Sequence, residues 1–108
     1  MSQTVLTRQH DGQSVDLAVG ERLVVQLDES PTSGYTWVDR TASGLLVQEA
    51  NEQGPAPPPA VGGGGQRRLL FSARQPGSVT LQLKLMQAWA GEASAVDSFS
   101  VIVHVRSV

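Results

Sequence analysis

A short segment between two predicted strands combines residue types that shape a turn with residue types that form hydrogen bonds. It consists of Ser30, Pro31, Thr32, Ser33, Gly34 and Tyr35. Proline fixes φ and glycine permits a positive φ, while the Thr32 and Ser33 hydroxyls can hydrogen-bond to polar groups. Taken alone, the segment is typical of an ordinary turn. Its defined shape and its hydroxyls also suit contact with a partner.

A second segment, residues 53–66, has no charged side chain and predicts a loop of 14 residues. It contains Pro55 and three further prolines, followed by Gly62, Gly63, Gly64 and Gly65. Loops of this length in small domains are usually functional or disordered. A phosphate-binding loop is a poor interpretation, because no Lys-Ser or Lys-Thr pair follows the glycines and Arg67 stands where a dinucleotide fingerprint requires glycine.

A third segment begins the predicted loop 87–95 with Gln87, Ala88 and Trp89. A tryptophan among small residues in a loop is costly to leave in water. We therefore expect Trp89 either to fold back onto the core or to serve as an anchor for a partner.

Catalytic and metal-binding chemistry finds little support in the remaining residues. The chain has no cysteine, and its two histidines, His10 and His104, lie near opposite ends of the sequence. No Gly-x-Ser-x-Gly elbow or cluster of metal ligands is present, and His104 falls on the polar face of a strand. Asp28 and Glu29 are interpreted as part of a polar turn, and the basic run at 66–68 as solvated. We expect no enzyme activity, cofactor or metal.

Composition limits the remaining classes of function. The chain has 108 residues, 40% of them hydrophobic and 17% charged, with a formal net charge of -2. These values predict one folded domain over residues 1–108, a monomer without attraction to nucleic acid or membranes. The N-terminal residues lack the basic and apolar regions of a signal peptide, so the sequence as given predicts a cytoplasmic product unless a leader has been removed.

The hydrophobic periodicity is that of strands. Residues 78–86 and 99–105 alternate apolar with polar side chains, and Ile102 is an apolar exception on the outer face. Further strands are predicted at 15–19, 23–27, 35–38, 45–49 and 68–73. About seven short strands separated by turn signals favour an all-β, immunoglobulin-like, two-sheet antiparallel sandwich over a small barrel. We expect Trp37, Phe71 and Phe99 to pack between the sheets.

The topology of such a sandwich relates the three unusual segments to one another. They are the connections between the second and third, fourth and fifth, and sixth and seventh predicted strands. Connections of this parity gather at one end of an immunoglobulin-like sandwich. The sequence therefore predicts a binding surface built from three loops.

Together these segments resemble the chagasin family of proteinaceous inhibitors of papain-like cysteine proteases. The family's Asn-Pro-Thr-Thr-Gly-aromatic, Gly-x-Gly-Gly and Arg-Pro-Trp motifs correspond, in order, to residues 30–35, 62–65 and 87–89. The resemblance implies an immunoglobulin-like fold whose loops wedge into the cleft of papain or a cathepsin L-like enzyme. It implies that residues 31–34 lie over the catalytic Cys and His of the protease. The glycines would follow one side of the cleft, and Trp89 would pack on an aromatic patch on the other.

Three departures from the family pattern bear on affinity. Ser30 replaces Asn and can still form a local turn, and Ser33 replaces Thr with loss of a methyl group. Gln87 and Ala88 replace Arg and Pro, which removes a fixed charge and a stiff residue. We expect weaker or narrower inhibition as a result. The alternatives are a non-inhibitory binding module that uses the same loops and a structural domain, which predicts a buried Trp89.

Overall fold

In a computed structural model of the chain, which describes residues 3–29, 34–41, 44–55, 65–87 and 89–107, strands dominate and form two sheets of four. Two short 3₁₀ helices, Arg8–His10 and Glu92–Ser94, lie in connections. The strands are β1 (Gln3–Leu6), β2 (Ser14–Ala18), β3 (Arg22–Asp28), β4 (Thr36–Asp39), β5 (Leu46–Pro55), β6 (Gly65–Ala73), β7 (Gly77–Met86) and β8 (Asp97–Arg106). Within the described ranges, no helix is long and apolar enough to cross a membrane.

The core lies between the sheets, where the apolar positions of alternating strands meet. In β8, Phe99 and every second residue after it as far as Val105 are buried, whereas Ile102 is exposed, as predicted. Trp37, Phe71 and Phe99 all belong to the buried cluster. The period of two is clearest in β7 and β8, where one face is buried and the other is largely exposed, whereas β3 also buries Val24 on its outer face. Two sheets with apolar faces packed against each other confirm the predicted sandwich.

Strand order and direction differ from the prediction at the sheet edges. The orders are β1-β3-β6-β5 and β2-β8-β7-β4, with the pairs β1–β3 and β2–β8 parallel and the others antiparallel. The predicted two-sheet sandwich is confirmed, but these two edge pairs are parallel rather than antiparallel, and β1 is a strand that the sequence did not predict. The short β1 lacks a clear alternation. The connection after it carries the chain to the other sheet, so β1 and β2 each add to a different sheet edge.

The second unusual segment is shorter than the 14-residue loop predicted from residues 53–66. Strand β5 continues to Pro55, which pairs with Gly65 at the start of β6, so the connection spans residues 56–64. The prediction missed these ends because residues 51–53 of β5 are polar and exposed. An edge strand without a covering layer needs no apolar alternation and tolerates Gly and Pro.

Three connections leave the sandwich at one end, as the topology predicts. In one sheet Asp28 at the end of β3 pairs with Gln66 near the start of β6. In the other sheet Thr36 at the start of β4 pairs with Met86 at the end of β7. The connections β3–β4, β5–β6 and β7–β8 therefore emerge together, and this part of the molecule is called the loop end below.

Candidate functional site

Trp89 is the most exposed large apolar side chain among the described residues, with 75% of its surface accessible. It follows β7 in a connection with a fixed path. The Ser94 hydroxyl oxygen accepts a hydrogen bond from the Gln87 N–H at 2.9 Å and donates to the Gly91 carbonyl at 2.7 Å. Val96, 63% exposed, closes the same connection. These hydrogen bonds join the described ends of the connection, which presents a largely exposed tryptophan to solvent. The exposure excludes the buried Trp89 expected of a purely structural domain.

Glu92 ties this connection to the body of the sandwich. Its carboxylate accepts a hydrogen bond from Arg40 at 3.1 Å and lies 3.4 Å from the Lys84 ammonium group. Hydrogen bonds from Arg40 and Lys84 hold the pKa of Glu92 below its ordinary value. All three side chains are substantially exposed, so the pairs contribute more to the path of the loop than to overall stability.

The first and third connections touch at Gly34. This residue has a φ of +81°, and a Cβ placed on it would lie 3.2 Å from the Cη2 atom of Trp89. The left-handed backbone favours glycine at this position, and any side chain there would press on the indole ring. The contact places the end of the Pro31 segment directly beside the exposed tryptophan.

Replacing Gly34 with alanine is expected to lower stability by about 1 kcal/mol through backbone strain and to displace the Trp89 ring. Thermal unfolding measures the first effect, and the inhibition of papain that the sequence resemblance implies measures the second. Gly20→Ala is the matched control, because Gly20 has a φ of +95° with nothing near its Cβ position. Equal inhibition constants for the two variants would show that the contact between Gly34 and Trp89 has no role in binding.

A buried carboxylate lies at the base of the first connection. Glu29 is only 3% exposed and directly follows β3. Its Oε2 atom accepts hydrogen bonds from the Trp37 N–H at 2.9 Å, the Thr36 hydroxyl at 3.0 Å and Arg67 Nε at 3.0 Å. Its Oε1 atom accepts from Gln53 Nε2 at 2.5 Å and Arg67 Nη2 at 2.6 Å. These five residues are called the Glu29 cluster.

Arg67 completes the cluster from β6. Its guanidinium forms a two-pronged ion pair with Glu29 and also donates to Asn51 Oδ1 at 2.8 Å. Only 16% of the Arg67 side chain is exposed. Two further hydrogen bonds lie beside the pair. The Glu29 N–H donates to the Gly65 carbonyl, and the Trp37 indole N–H donates to the Asp28 carbonyl. The described ends of the first two connections are thus tied together.

The protonation of Glu29 reflects two opposing effects. Burial by itself raises the pKa of the carboxyl group, but hydrogen bonds from Arg67, the Trp37 N–H and the Thr36 hydroxyl outweigh it. The resulting pKa lies below the ordinary value of 4.5, so Glu29 is ionised at neutral pH. A buried charge of this kind requires all its donors to remain in place.

The cluster corrects two sequence interpretations. Glu29 is a buried hub rather than part of a polar turn, and Arg67 is nearly buried rather than solvated. The sequence offered one usable signal: Glu29 and Arg67 are charged residues that each stand between a predicted strand and a predicted loop. Because opposite charges separated by 38 positions have no local pattern, their pairing needed the register of β3 and β6.

The predicted binding residues divide into those that the structure describes and those that it does not. Gly34, Tyr35, Gly65, Gln87 and Trp89 lie at the loop end. Tyr35 and Gln87 are half-buried, and Gly65 is buried at the start of β6. The remaining predicted residues fall outside the described ranges, namely Ser30, Pro31, Thr32, Ser33, Gly62, Gly63, Gly64 and Ala88.

Both histidines form hydrogen bonds with nearby residues, and His10 Nδ1 accepts one from the Thr7 N–H at 3.0 Å. His104 is exposed and hydrogen-bonds to Ser78 at 2.8 Å, near the start of β7 and so at the opposite end of the sandwich. In the described part of the chain, no group of three or more His, Asp or Glu side chains could hold a metal ion. The loop end offers shape, one exposed indole and backbone groups, which suit contact with a protein surface.

Comparison with known proteins gives these features a family. The sequence model described as Chagasin family peptidase inhibitor I42 matches residues 16–103. Chagasin from Trypanosoma cruzi is 25% identical over 106 residues, which cover 94% of this chain and 96% of chagasin. The crystal structure of the cysteine protease inhibitor EhICP2 from Entamoeba histolytica matches with a TM-score of 0.85 and 20% identity over 96% of both chains. PbICP-C, solved in complex with falcipain-2, matches with a TM-score of 0.62 and 16% identity over 98% of this chain and 91% of its own. Because the family match spans most of the sequence, this chain belongs to the chagasin family of peptidase inhibitors.

Proposed function

We propose that this protein is a reversible inhibitor of papain-like cysteine proteases that blocks the active-site cleft with its loop end, and that residues 1–108 form a single inhibitor domain. Family membership makes it an inhibitor rather than an enzyme, as the sequence predicts. The solved complex of PbICP-C with falcipain-2 and the name of EhICP2, a cysteine protease inhibitor, support this class of target.

The observation that carries the proposed binding mode is the exposed Trp89 held against Gly34. An indole that is 75% exposed leaves apolar surface in water, and burying that surface against a partner is favourable in free energy. Because Trp89 lies beside the end of the segment 30–35, both elements would meet one partner surface. In this binding mode Ser30, Pro31, Thr32 and Ser33 face the catalytic residues, the glycines at 62–65 follow one wall of the cleft, and Gln87, Ala88 and Trp89 contact the other.

The residue types suit a cleft that normally cleaves extended peptides. Glycine and proline lose little conformational entropy on binding, and a shaped turn does not present an extended strand for cleavage. The chain has no cysteine, so it offers no thiol or disulfide for exchange with the protease nucleophile. Inhibition is therefore expected to be noncovalent and to leave the inhibitor intact.

The test is a titration of the purified protein against papain and a cathepsin L-like enzyme, with a fluorogenic substrate. We expect reversible inhibition of both enzymes and none of trypsin, which has a serine nucleophile. Binding to papain whose active-site thiol has been alkylated with iodoacetamide should be weakened, because the added group occupies the space over the catalytic Cys. An absence of inhibition at micromolar concentration would refute the proposed target class and favour a binding module that uses the same loops.

Restoring the family residues in the third segment should strengthen inhibition. In the double variant Gln87→Arg/Ala88→Pro, the guanidinium adds a fixed charge and a stacking surface, and proline stiffens the loop. We expect the inhibition constant against papain to fall about tenfold, equivalent to ~1.4 kcal/mol. Unchanged inhibition constants for papain and the cathepsin L-like enzyme would show that these two positions do not limit affinity.

A further inference from the structure

We propose that Glu29 is a positioning residue that sets the first and second loops in their binding arrangement before the protease arrives, an inference that rests on the proposed function. The Glu29 cluster draws on four strands or strand ends at the loop end. Glu29 follows β3, Thr36 and Trp37 begin β4, Gln53 lies near the end of β5, and Arg67 lies near the start of β6.

The placement of these donors relates directly to the loops. Glu29 precedes residues 30–33, and Thr36 and Trp37 come shortly after them, so one carboxylate holds both ends of the first connection. Gln53 and Arg67 stand on the two strands that lead into and out of the second connection. A single side chain therefore ties together the described ends of both connections.

A purely stabilising role fits this arrangement poorly. Buried ion pairs contribute little net stability, because the cost of removing two charges from water offsets their attraction. In proteins generally, replacing such a pair by apolar side chains of similar volume is often neutral or stabilising. The Glu29 carboxylate accepts five hydrogen bonds, and each one restricts the position of the group that donates it. The cluster therefore fixes the relative positions of these groups. The cluster joins both sheets and lies where the loops begin.

A positioning role and a direct contact with the protease predict different changes in the binding rate constants. If the cluster preorganises the loops, weakening it lowers the fraction of inhibitor molecules that are competent to bind. The association rate constant should then fall, whereas the dissociation rate constant should change little because the bound complex restores the same arrangement. Loss of a direct contact acts mainly on dissociation.

The experiment compares Glu29→Gln with the wild-type inhibitor in binding to papain, measured by stopped-flow inhibition or surface plasmon resonance. Glutamine keeps the shape but loses the charge, and its amide nitrogen meets donors that previously faced an oxygen. We expect association to slow by about tenfold with dissociation within about twofold. Thr36→Val, which removes two hydrogen bonds of the cluster without changing side-chain shape, should act in the same direction by about threefold. It serves as the test if Glu29→Gln does not fold.

Leu17→Ala is the stability control, because Leu17 is buried at the opposite end of the sandwich, paired with Val105. It should lower the melting temperature and leave both rate constants unchanged at a temperature where all variants are folded. Unchanged association in folded Glu29→Gln, or equal slowing in Leu17→Ala, would overturn the positioning role while wild-type inhibition keeps the proposed function intact. If the wild-type protein fails to inhibit, both proposals fail.

Discussion

Replacing Trp89 with alanine is expected to raise the inhibition constant against papain by about 30-fold to 1,000-fold, corresponding to ~2–4 kcal/mol. The reason is the unusual state of this side chain, which is 75% exposed yet held in place by the contact with Gly34 and by the path of its connection. An indole that is 75% exposed loses little native packing when truncated, so the stability of the variant should match that of the wild type within about 0.5 kcal/mol.

The kinetics of Trp89→Ala should show where the loss arises. Because the ring makes a direct contact in the proposed complex, its removal should act mainly by speeding dissociation. Val96→Ala provides a comparison within the same connection, since Val96 is also exposed but has a much smaller side chain to contact a partner. A Trp89→Ala variant that inhibits papain as well as the wild type would remove the third loop from the proposed binding surface.

The fold could be predicted to a large extent because burial on one face of a strand leaves a local trace. In β7 and β8 the alternation of apolar and polar residues follows from one face packing against the core. The strands that were not predicted, or whose ends were predicted wrongly, lack this alternation of apolar and polar residues. Strand β1 has four residues, and the end of β5 is exposed on an edge. Their pairing depends on the neighbouring strand rather than on their own sequence.

The candidate site was predictable in its loops but not in what supports them. Segments rich in Gly and Pro and a tryptophan among small residues are visible in sequence because their types are unusual at those positions. The Glu29 cluster was not visible, because charged residues beside a loop are solvated in most proteins. Only the register that places Asp28 opposite Gln66 brings Glu29 next to Arg67 and makes burial of both side chains favourable.

Replacing Arg67 with methionine should test the energetic dependence of Glu29 on its partner. Methionine can fill much of the volume of the arginine stem, so the main loss is the two-pronged ion pair. Removing one member of a buried pair costs about 3–5 kcal/mol, because the other charge remains buried. We expect a loss of about 3 kcal/mol at pH 7, the lower end of that range, since Thr36, Trp37 and Gln53 still donate to the carboxylate.

Arg68→Met is the matched control for this substitution. Arg68 is the next residue along β6 and its side chain is exposed on the other face of the strand. The same chemical change there should alter the free energy of unfolding by no more than about 0.5 kcal/mol. Urea unfolding followed by tryptophan fluorescence measures both variants, since Trp37 is buried in the core. Similar losses in both would show that the general loss of positive charge, rather than the buried pair, is responsible.

The pH dependence of the unfolding free energy should distinguish the ion pair between Glu29 and Arg67 from packing of the Arg67 side chain. In the wild type the pKa of Glu29 is below its ordinary value of 4.5, so the unfolded carboxyl group takes up a proton first as the solution is acidified. The stability contributed by Glu29 is therefore present above pH 4.5 and is lost as the pH falls through the folded-state pKa. In Arg67→Met, burial still raises the pKa of Glu29, but hydrogen bonds from Arg67 no longer lower it. The pKa should therefore rise, and the folded state should bind the proton more readily. The difference in unfolding free energy between wild type and variant should then become smaller as the pH falls from 7 toward 4. A constant difference across that range would mean that Arg67 stabilises the fold by packing alone.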